Sequence, residues 1–353
     1  MSLTVIYPRD DGVDTARLEA VLSHALQGTH TRMIRLAQDL DGLAGQRLLF
    51  AVAVGEYGVN TEYSRMLARL RACPHLLEGC TAGLIVDGAG ELYTKSTAAE
   101  LTLAANLCGC CFVGRPLVEG TGSLANFRVQ AELLSCDLPG AYRTAARELV
   151  QRVLEEDPVR KERPNLLVLH ASTRRVSNTM DLWEQVKERV SHRCAITEIG
   201  LRNGTLSDCS GCPYTTCLHF GEKGGCFYGG VMQQEVYPAV READAVMMVC
   251  PNYNDALSAN LTACINRLTA LFRQTRFYNK NLFAIVVSGY SGGDIVARQL
   301  ICALNMNKSF RLPGRFALIE TANDPGAAMA LEGIEGRLDA FSNTILDTLC
   351  SSE

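Results

Sequence analysis

Asn165-Leu166-Leu167-Val168-Leu169-His170-Ala171-Ser172-Thr173-Arg174-Arg175-Val176-Ser177-Asn178-Thr179-Met180-Asp181-Leu182-Trp183 is the stretch from which the rest of the chain can be read. Leu166 to Leu169 is a short, bare apolar run, the form taken by a strand buried on both faces of a parallel sheet. A polar loop follows. Leu182, Trp183, Val186 and Val190 then fall on one face of a helix. Strand, polar loop and helix make the first half of a crossover unit, and the pattern repeats downstream. Ala195 to Ile199, Ala245 to Val249, Phe283 to Val287 and Phe316 to Ile319 are further strand candidates, with helical patterns between them. One of these helices carries Leu257, Leu261, Ile265 and Leu268. Five strands alternating with helices predict an open, doubly wound parallel sheet of α/β class.

The same rhythm runs through the first half. Candidate strands are Leu3 to Tyr7, Arg32 to Leu36, Leu48 to Val54, Gly83 to Asp87 and Cys110 to Val113, with helical patterns over Ala16 to Ala25 and Thr97 to Leu107. This predicts a second α/β domain, read either as a diverged copy of the same architecture or as an unrelated α/β unit. A charged helical stretch, Ala141 to Glu156, leads into the polar, Pro-bounded run Asp157 to Pro164. The expected organisation is a domain over 1–156, a linker over 157–164 and a domain over 165–353.

Composition narrows the function classes. The chain has 353 residues, 47% hydrophobic, with a net charge of -4. That length suits two domains. The charge supplies no basic field, which argues against a nucleic-acid partner. No apolar run reaches the roughly 20 residues needed to span a bilayer, and the opening Met1 to Tyr7 lacks the pattern of a signal peptide. A cytoplasmic protein with no membrane partner is expected. In a reducing compartment the 15 cysteines are not a disulfide framework; Cys108, Cys250 and Cys302 sit in apolar runs and read as small buried hydrophobes.

In open α/β sheets ligands sit beyond the carboxyl ends of the strands, so the post-strand loops are where chemistry is sought. The loop from His170 to Thr179 concentrates hydroxyls, an amide, guanidinium groups and backbone N–H donors at a helix N-terminus, which is what a phosphate monoester requires. A simple N-cap by Ser177 or Thr179 is the plainer alternative. After the third strand comes Cys250-Pro251-Asn252-Tyr253-Asn254, where a tyrosine and backbone amides can meet a flat ring. After the fourth comes Ser288-Gly289-Tyr290-Ser291-Gly292-Gly293, a Gly-rich loop that admits close approach of a ligand.

Taken together, the three loops resemble those of the NADPH-dependent FMN reductase and iron–sulfur flavoprotein branch of the flavodoxin-like superfamily. The resemblance covers roughly Asn165 to Ala322. It implies a flavodoxin-like fold with Ser172, Arg174, Ser177, Asn178 and Thr179 as the phosphate cradle. It places Pro251, Asn252, Tyr253 and Asn254 beneath the isoalloxazine, followed by Ser258 and a helix ending at Asn266-Arg267, with Ser288, Gly289 and Gly292 on the other flank. The sequence departs from the family pattern at His170-Ala171-Ser172-Thr173-Arg174 and at Asn266-Arg267, where an Asp-Arg pair is usual.

Between the second and third strands lies Cys209-Ser210-Gly211-Cys212-Pro213-Tyr214-Thr215-Thr216-Cys217, followed by Cys226, a C-x2-C-x4-C-x8-C spacing. Four thiolates can close the coordination of an iron–sulfur cluster or a tetrahedral zinc. Iron–sulfur flavoproteins carry a compact cysteine motif at this place, with shorter gaps after the first pair. Three readings stay open: a 4Fe–4S cluster, a structural zinc with His219 able to replace one thiolate, and a metal-free loop.

The N-terminal loops, among them Gly88-Ala89-Gly90 and Gly114 to Ser123, lack the hydroxyl and arginine density of the Ser172 loop. That predicts a first domain without a flavin of its own, serving to cover the FMN or to wall a substrate pocket. No Ser-His-Asp, His-Glu-x-x-His or paired-carboxylate arrangement calls for hydrolysis, and no catalytic acid or base stands out. The resemblance implies an FMN-dependent oxidoreductase. Electrons would come from NAD(P)H or ferredoxin and pass to a small-molecule acceptor, through an iron–sulfur relay if one is present. The chain would work as a homo-oligomer. The alternatives are a flavodoxin-type electron carrier or flavin-based sensor, and a flavin-free assembly domain.

Overall fold

The computed structural model describes residues 2–172 and 177–351. The chain divides into two compact units, Met1–Asp157 and Pro158–Glu353.

In the first unit the strands are β1 Ser2–Ile6, β2 His30–Ile34, β3 Arg47–Val54, β4 Thr81–Gly88 and β5 Cys111–Gly120. They form one parallel sheet in the order β2-β1-β3-β4-β5. Its helices are α1 Ala16–Ala25, α2 Thr61–Ala72, α3 Thr94–Leu107, α4 Arg128–Leu134 and α5 Leu138–Glu155. β5 is longer than the sequence pattern suggests. Gly114-Arg115-Pro116 reads as a turn, yet the chain makes a bulge there: Ala82 pairs with Phe112 while Leu84 pairs with Leu117. Arg115 takes a left-handed φ of 50° to accommodate it.

The second unit repeats the plan with β6 Asn165–His170, β7 Ala195–Gly200, β8 Ala245–Pro251, β9 Asn281–Ser288 and β10 Ala317–Thr321. All pairings are parallel and the order is β10-β9-β8-β6-β7. Numbered within each unit, both sheets run 2-1-3-4-5, the flavodoxin-like order. The expectation of two α/β domains of related architecture is met. The helices are α6 Asn178–Val190, α7 Tyr214–Glu222, α8 Tyr237–Glu242, α9 Ala259–Gln274, α10 Gly293–Leu300 and α11 Ile334–Leu349. Central strands β6, β8 and β9 are buried almost throughout, while edge strand β7 exposes Thr197 and Glu198.

Leu166, Val168, Met247, Val249, Phe283 and Ile285 on one sheet face pack against Leu182, Trp183, Val186 and Val190 of α6 and Leu338, Phe341 and Ile345 of α11. Trp183 is completely buried, and its Nε1–H donates to Glu198 Oε2 on β7 at 3.0 Å. The start of the unit is tied to its end: Lys161 N–H donates to the Leu349 carbonyl, and Ser351 N–H donates to the Lys161 carbonyl, each at 2.9 Å. Helix α9 runs two turns past Asn266-Arg267 rather than ending there. The apolar positions Leu268 and Leu271 carry the pattern on and are buried.

Candidate functional site

The carboxyl ends of β6, β8, β9 and β10 surround a cavity of about 330 Å³, lined by Ala171, Ser172, Ser177, Asn178, Thr179, Pro251, Asn252, Tyr253, Val287, Gly289, Ala322, Asn323 and Pro325. It lies at the switch point of strand order, where β6 feeds β7 on one side and β8 on the other. Its size is within the roughly 300–1,000 Å³ of small-molecule sites.

At one end the cavity meets the first turn of α6. Ser177 is the N-cap, but its side chain makes no capping bond; its hydroxyl pairs instead with Thr179 Oγ1 at 2.9 Å. The Ser177 side chain therefore takes none of the first-turn N–H groups, which lie in the field of the helix N-terminus. That donor set suits an anion. Asn178 lines the same wall with its side chain already committed. Its Nδ2 donates to the carbonyls of Ala322 at 3.2 Å and Asp324 at 2.9 Å, and its Oδ1 accepts from Ala328 N–H at 3.3 Å. Asn178 thus fastens α6 to the loop after β10. Arg174 lies outside the described residues.

At the other end stands the loop after β8. Asn252 N–H donates to the Val287 carbonyl at 2.8 Å. Its Nδ2 donates to Ser288 Oγ at 3.1 Å, the Ser291 carbonyl at 3.0 Å and Asp255 Oδ1 at 3.3 Å. Asn252 Oδ1, by contrast, is buried and has no partner among the described residues. A buried acceptor without a donor costs about 1–3 kcal/mol, and a bound ring presenting an N–H would remove that cost. Tyr253 and Ala256 exchange backbone hydrogen bonds across a two-residue turn, Asn254-Asp255, with φ of 53° and 56°. Tyr253 itself is 53% exposed, leaving a ring face for a ligand. These residues fit a phosphate-bearing flat ring such as FMN: anion donors at one end, an aromatic face and an unpaired acceptor at the other.

Of the residues picked from sequence, the cavity gathers Ser172, Ser177, Asn178, Thr179, Pro251, Asn252, Tyr253 and Gly289. Asn254, Ser288 and Gly292 stand behind this wall. Ser288 is buried and supports Asn252. Gly292 caps α10 with φ 84°, and a Cβ there would meet Asp255 Oδ1 at 2.0 Å, so only glycine fits. The loop after β10, with Asn323 and Pro325, was missed. Its signal is its place after the fifth strand and the turn-forming run Asn323-Asp324-Pro325.

The cysteine segment does not assemble a metal centre. Cys209 is exposed, while Cys212, Cys217 and Cys226 are half-buried. Among the described residues no three His, Cys, Asp or Glu side chains stand close enough to share a metal. As folded, Cys209, Cys212, Cys217 and Cys226 fit neither a 4Fe–4S cluster nor a tetrahedral zinc. Cys217 lies within helix α7, Tyr214–Glu222, while Cys209 and Cys212 lie in the loop before it and Cys226 beyond its end. The segment is held instead from α9. The buried Arg267 donates to the carbonyls of Ser207 at 3.4 Å and Gly229 at 2.7 Å, and Asn266 Nδ2 donates to Asp208 Oδ1 at 3.0 Å.

The first unit treats the same region of its sheet differently. Arg17 of α1 reaches across the strand ends. Its Nε donates to Asp87 Oδ2 at 2.9 Å, its Nη1 to the Gly122 carbonyl at 3.0 Å and its Nη2 to the Gly88 carbonyl at 2.8 Å. Tyr142 donates to Asp87 Oδ2 at 3.0 Å. Burial pushes the Asp87 carboxyl above its usual range, and the Arg17 contacts oppose that rise. The guanidinium thus lies at the β4 and β5 ends, bonded to groups of both.

Thr173 to Val176 aside, the second unit can be placed among known proteins. Solved structures of similar shape include an NAD(P)H:quinone oxidoreductase from Methanothermobacter marburgensis, 14% identical, covering 54% of this chain and 98% of that one at a TM-score of 0.41. The apo form of the NADH:FMN oxidoreductase EMOB is 15% identical, covering 54% and 91% at 0.37. An FMN-dependent NADH-azoreductase from Bacillus anthracis str. Ames Ancestor, in complex with FMN, is 11% identical, covering 52% and 99% at 0.36. No curated protein matches the chain significantly. The fold stands on the strand order, and a direct sequence match adds to it: residues 164–324, most of the second unit, match the model of the NADPH-dependent FMN reductase family, an oxidoreductase family to which this part of the chain is similar.

Proposed function

We propose that the second unit binds FMN non-covalently in the 330 Å³ cavity and that the chain is an NAD(P)H-dependent oxidoreductase reducing a small-molecule acceptor. One observation carries the reading. Four strand-end loops line a single cavity that has, at one end, a helix N-terminus whose N-cap side chain makes no capping bond and, at the other, the buried Asn252 Oδ1, without a partner among the described residues, next to Tyr253.

When bound, FMN supplies hydride and electron transfer; the chain's residues bind, orient and shield. The first-turn N–H groups of α6, with the hydroxyls of Ser172, Ser177 and Thr179, hold the phosphate. Asn178 fixes the distance between that helix end and the loop after β10. Asn252 Oδ1 accepts from the ring edge, while its Nδ2 locks the loop from behind. Gly289 keeps its wall low: a Cβ there would crowd Asn323 Oδ1 at 3.0 Å. Tyr253 covers one ring face.

In this reading the first unit takes no flavin: at its β4 and β5 ends Arg17 is bonded to Asp87 and to the Gly88 and Gly122 carbonyls. A visible spectrum of the purified chain, reconstituted with FMN and desalted, tests the proposal. Flavin bands near ~450 nm at one equivalent per chain, bleached anaerobically by NADPH or NADH, support it. A colourless chain that retains no FMN overturns it.

A further inference from the structure

We infer that Gln299, a residue outside the cavity, is the positioning residue that sets Tyr253 against the bound ring. This rests on the proposed FMN site and deepens it.

The turn that presents Tyr253 is intrinsically unfavourable. Asn254 and Asp255 both occupy the left-handed region, with φ of 53° and 56°. Side chains with a Cβ pay for that conformation, Asn and Asp less than most. The turn belongs to the two-residue hairpin type, yet its own closure is weak. Tyr253 N–H to Ala256 O is 3.3 Å and the reciprocal bond is 3.2 Å. Strained, exposed turns persist when the surroundings over-determine them, and they concentrate at ligand sites.

Here the restraint comes from α10. Gln299 is half-buried near the end of that helix. Its Oε1 accepts from Leu257 N–H at 3.1 Å, and its Nε2 donates to the Asp255 carbonyl at 3.0 Å. One carboxamide therefore satisfies both a donor and an acceptor of the turn backbone, more than forty residues away in sequence. The same helix begins at Gly292, whose bare Cα allows Asp255 to close over it. Asn252 grips the turn from the cavity side through Ser288 and Ser291. Asn252 and Gln299 thus hold opposite flanks of Asn254-Asp255, and Tyr253 is the residue whose direction both of them set. Without Gln299 the turn relaxes toward right-handed φ values, and the ring of Tyr253 swings with it.

The experiment compares full-length wild type, Q299A, Q299E and the double variant D255G/Q299A for FMN affinity, bound-flavin absorption and thermal midpoint. Loss of two hydrogen bonds predicts about tenfold weaker FMN binding in Q299A, with the flavin bands shifted toward those of free FMN. Q299E keeps the acceptor for Leu257 N–H and falls between the two. D255G/Q299A restores tight binding and the wild-type spectrum, because Asn-Gly adopts this turn unaided; Asn252 Nδ2 retains Ser288 and Ser291 when the Asp255 carboxylate is gone. A purely structural role would lower the thermal midpoint of Q299A and leave affinity and spectrum of the folded fraction unchanged, which overturns the inference. So does a double variant that binds as weakly as Q299A. A wild-type chain that binds no FMN refutes the reading of the site, and this inference with it; a wild type that binds beside a Q299A that binds equally well refutes this inference alone.

Discussion

Replacing Asn252 by alanine is the perturbation that separates the loop's architecture from its chemistry. The amide makes three donor contacts, to Ser288 Oγ at 3.1 Å, the Ser291 carbonyl at 3.0 Å and Asp255 Oδ1 at 3.3 Å. The last two are open to water, which replaces the lost donor at a cost of about 0.5 kcal/mol each. Ser288 is buried, and stripping its partner adds about 1–2 kcal/mol. The total is about 2–3 kcal/mol of stability in the second unit. Part of it returns, because the alanine variant no longer buries the unpaired Oδ1 in the empty site. Flavin binding loses both the acceptor at the ring edge and the order of the turn, which predicts affinity lower by about thirtyfold. The chain has a single tryptophan, Trp183, buried in the core of the second unit. Its fluorescence in a urea titration reports on that unit, and quenching of FMN emission reports on binding. An N252A chain that binds FMN as tightly as wild type, with an unmoved Trp183 transition, would refute the assignment of Asn252 to the site.

Other expectations follow from the same geometry. His170 Nε2 stands 3.5 Å from Glu198 Oε1, and burial holds the imidazole below its ordinary pKa, with the Glu198 charge pulling the other way. A base with a lowered folded-state pKa is protonated first in the unfolded chain, so stability falls as pH drops below about 6.5. H170Q should flatten that slope in Trp183-monitored unfolding between pH 7.5 and 5.5, and an identical slope in the variant would contradict the assignment. In the first unit, R17A leaves Asp87 buried without its guanidinium and should cost about 3 kcal/mol, seen as faster hydrogen exchange in β4 and β5; unchanged exchange there would show that the pair holds nothing. Anaerobic reconstitution with iron and sulfide should yield fewer than about two irons per chain, whereas about four would mean that Cys209, Cys212, Cys217 and Cys226 rearrange around a cluster.

The sheet was legible because its signal is local and redundant. Bare apolar runs such as Leu166 to Leu169 are too short for a buried helix and alternate with helical patterns, which favours buried strands, and the order of loops along the chain carried the resemblance. What sequence could not supply were choices made across distance. Asn178 looks like a phosphate ligand from its neighbours, yet its amide is spent on Ala322 and Asp324, nearly 150 residues away. Arg17 and Asp87, 70 residues apart, carry no mutual signal until α1 and β4 meet. The bulge at Gly114-Arg115-Pro116 reads as a turn because glycine and proline punctuate both. The cysteine spacing left a cluster, a zinc and a metal-free loop open, and the helix α7 that takes in Cys217 is built from residues of low helix propensity, so the spacing alone could not show it.

The central claim is that the cavity beyond β6, β8, β9 and β10 holds one flavin that accepts electrons from a nicotinamide. Anaerobic titration of FMN-reconstituted chain with NADPH, followed at ~450 nm, measures that directly. The account predicts one FMN per chain, bleached by about one equivalent of NADPH or NADH and restored on adding a small acceptor. A chain that binds FMN at no measurable affinity, or a bound flavin that neither nucleotide reduces, would contradict it.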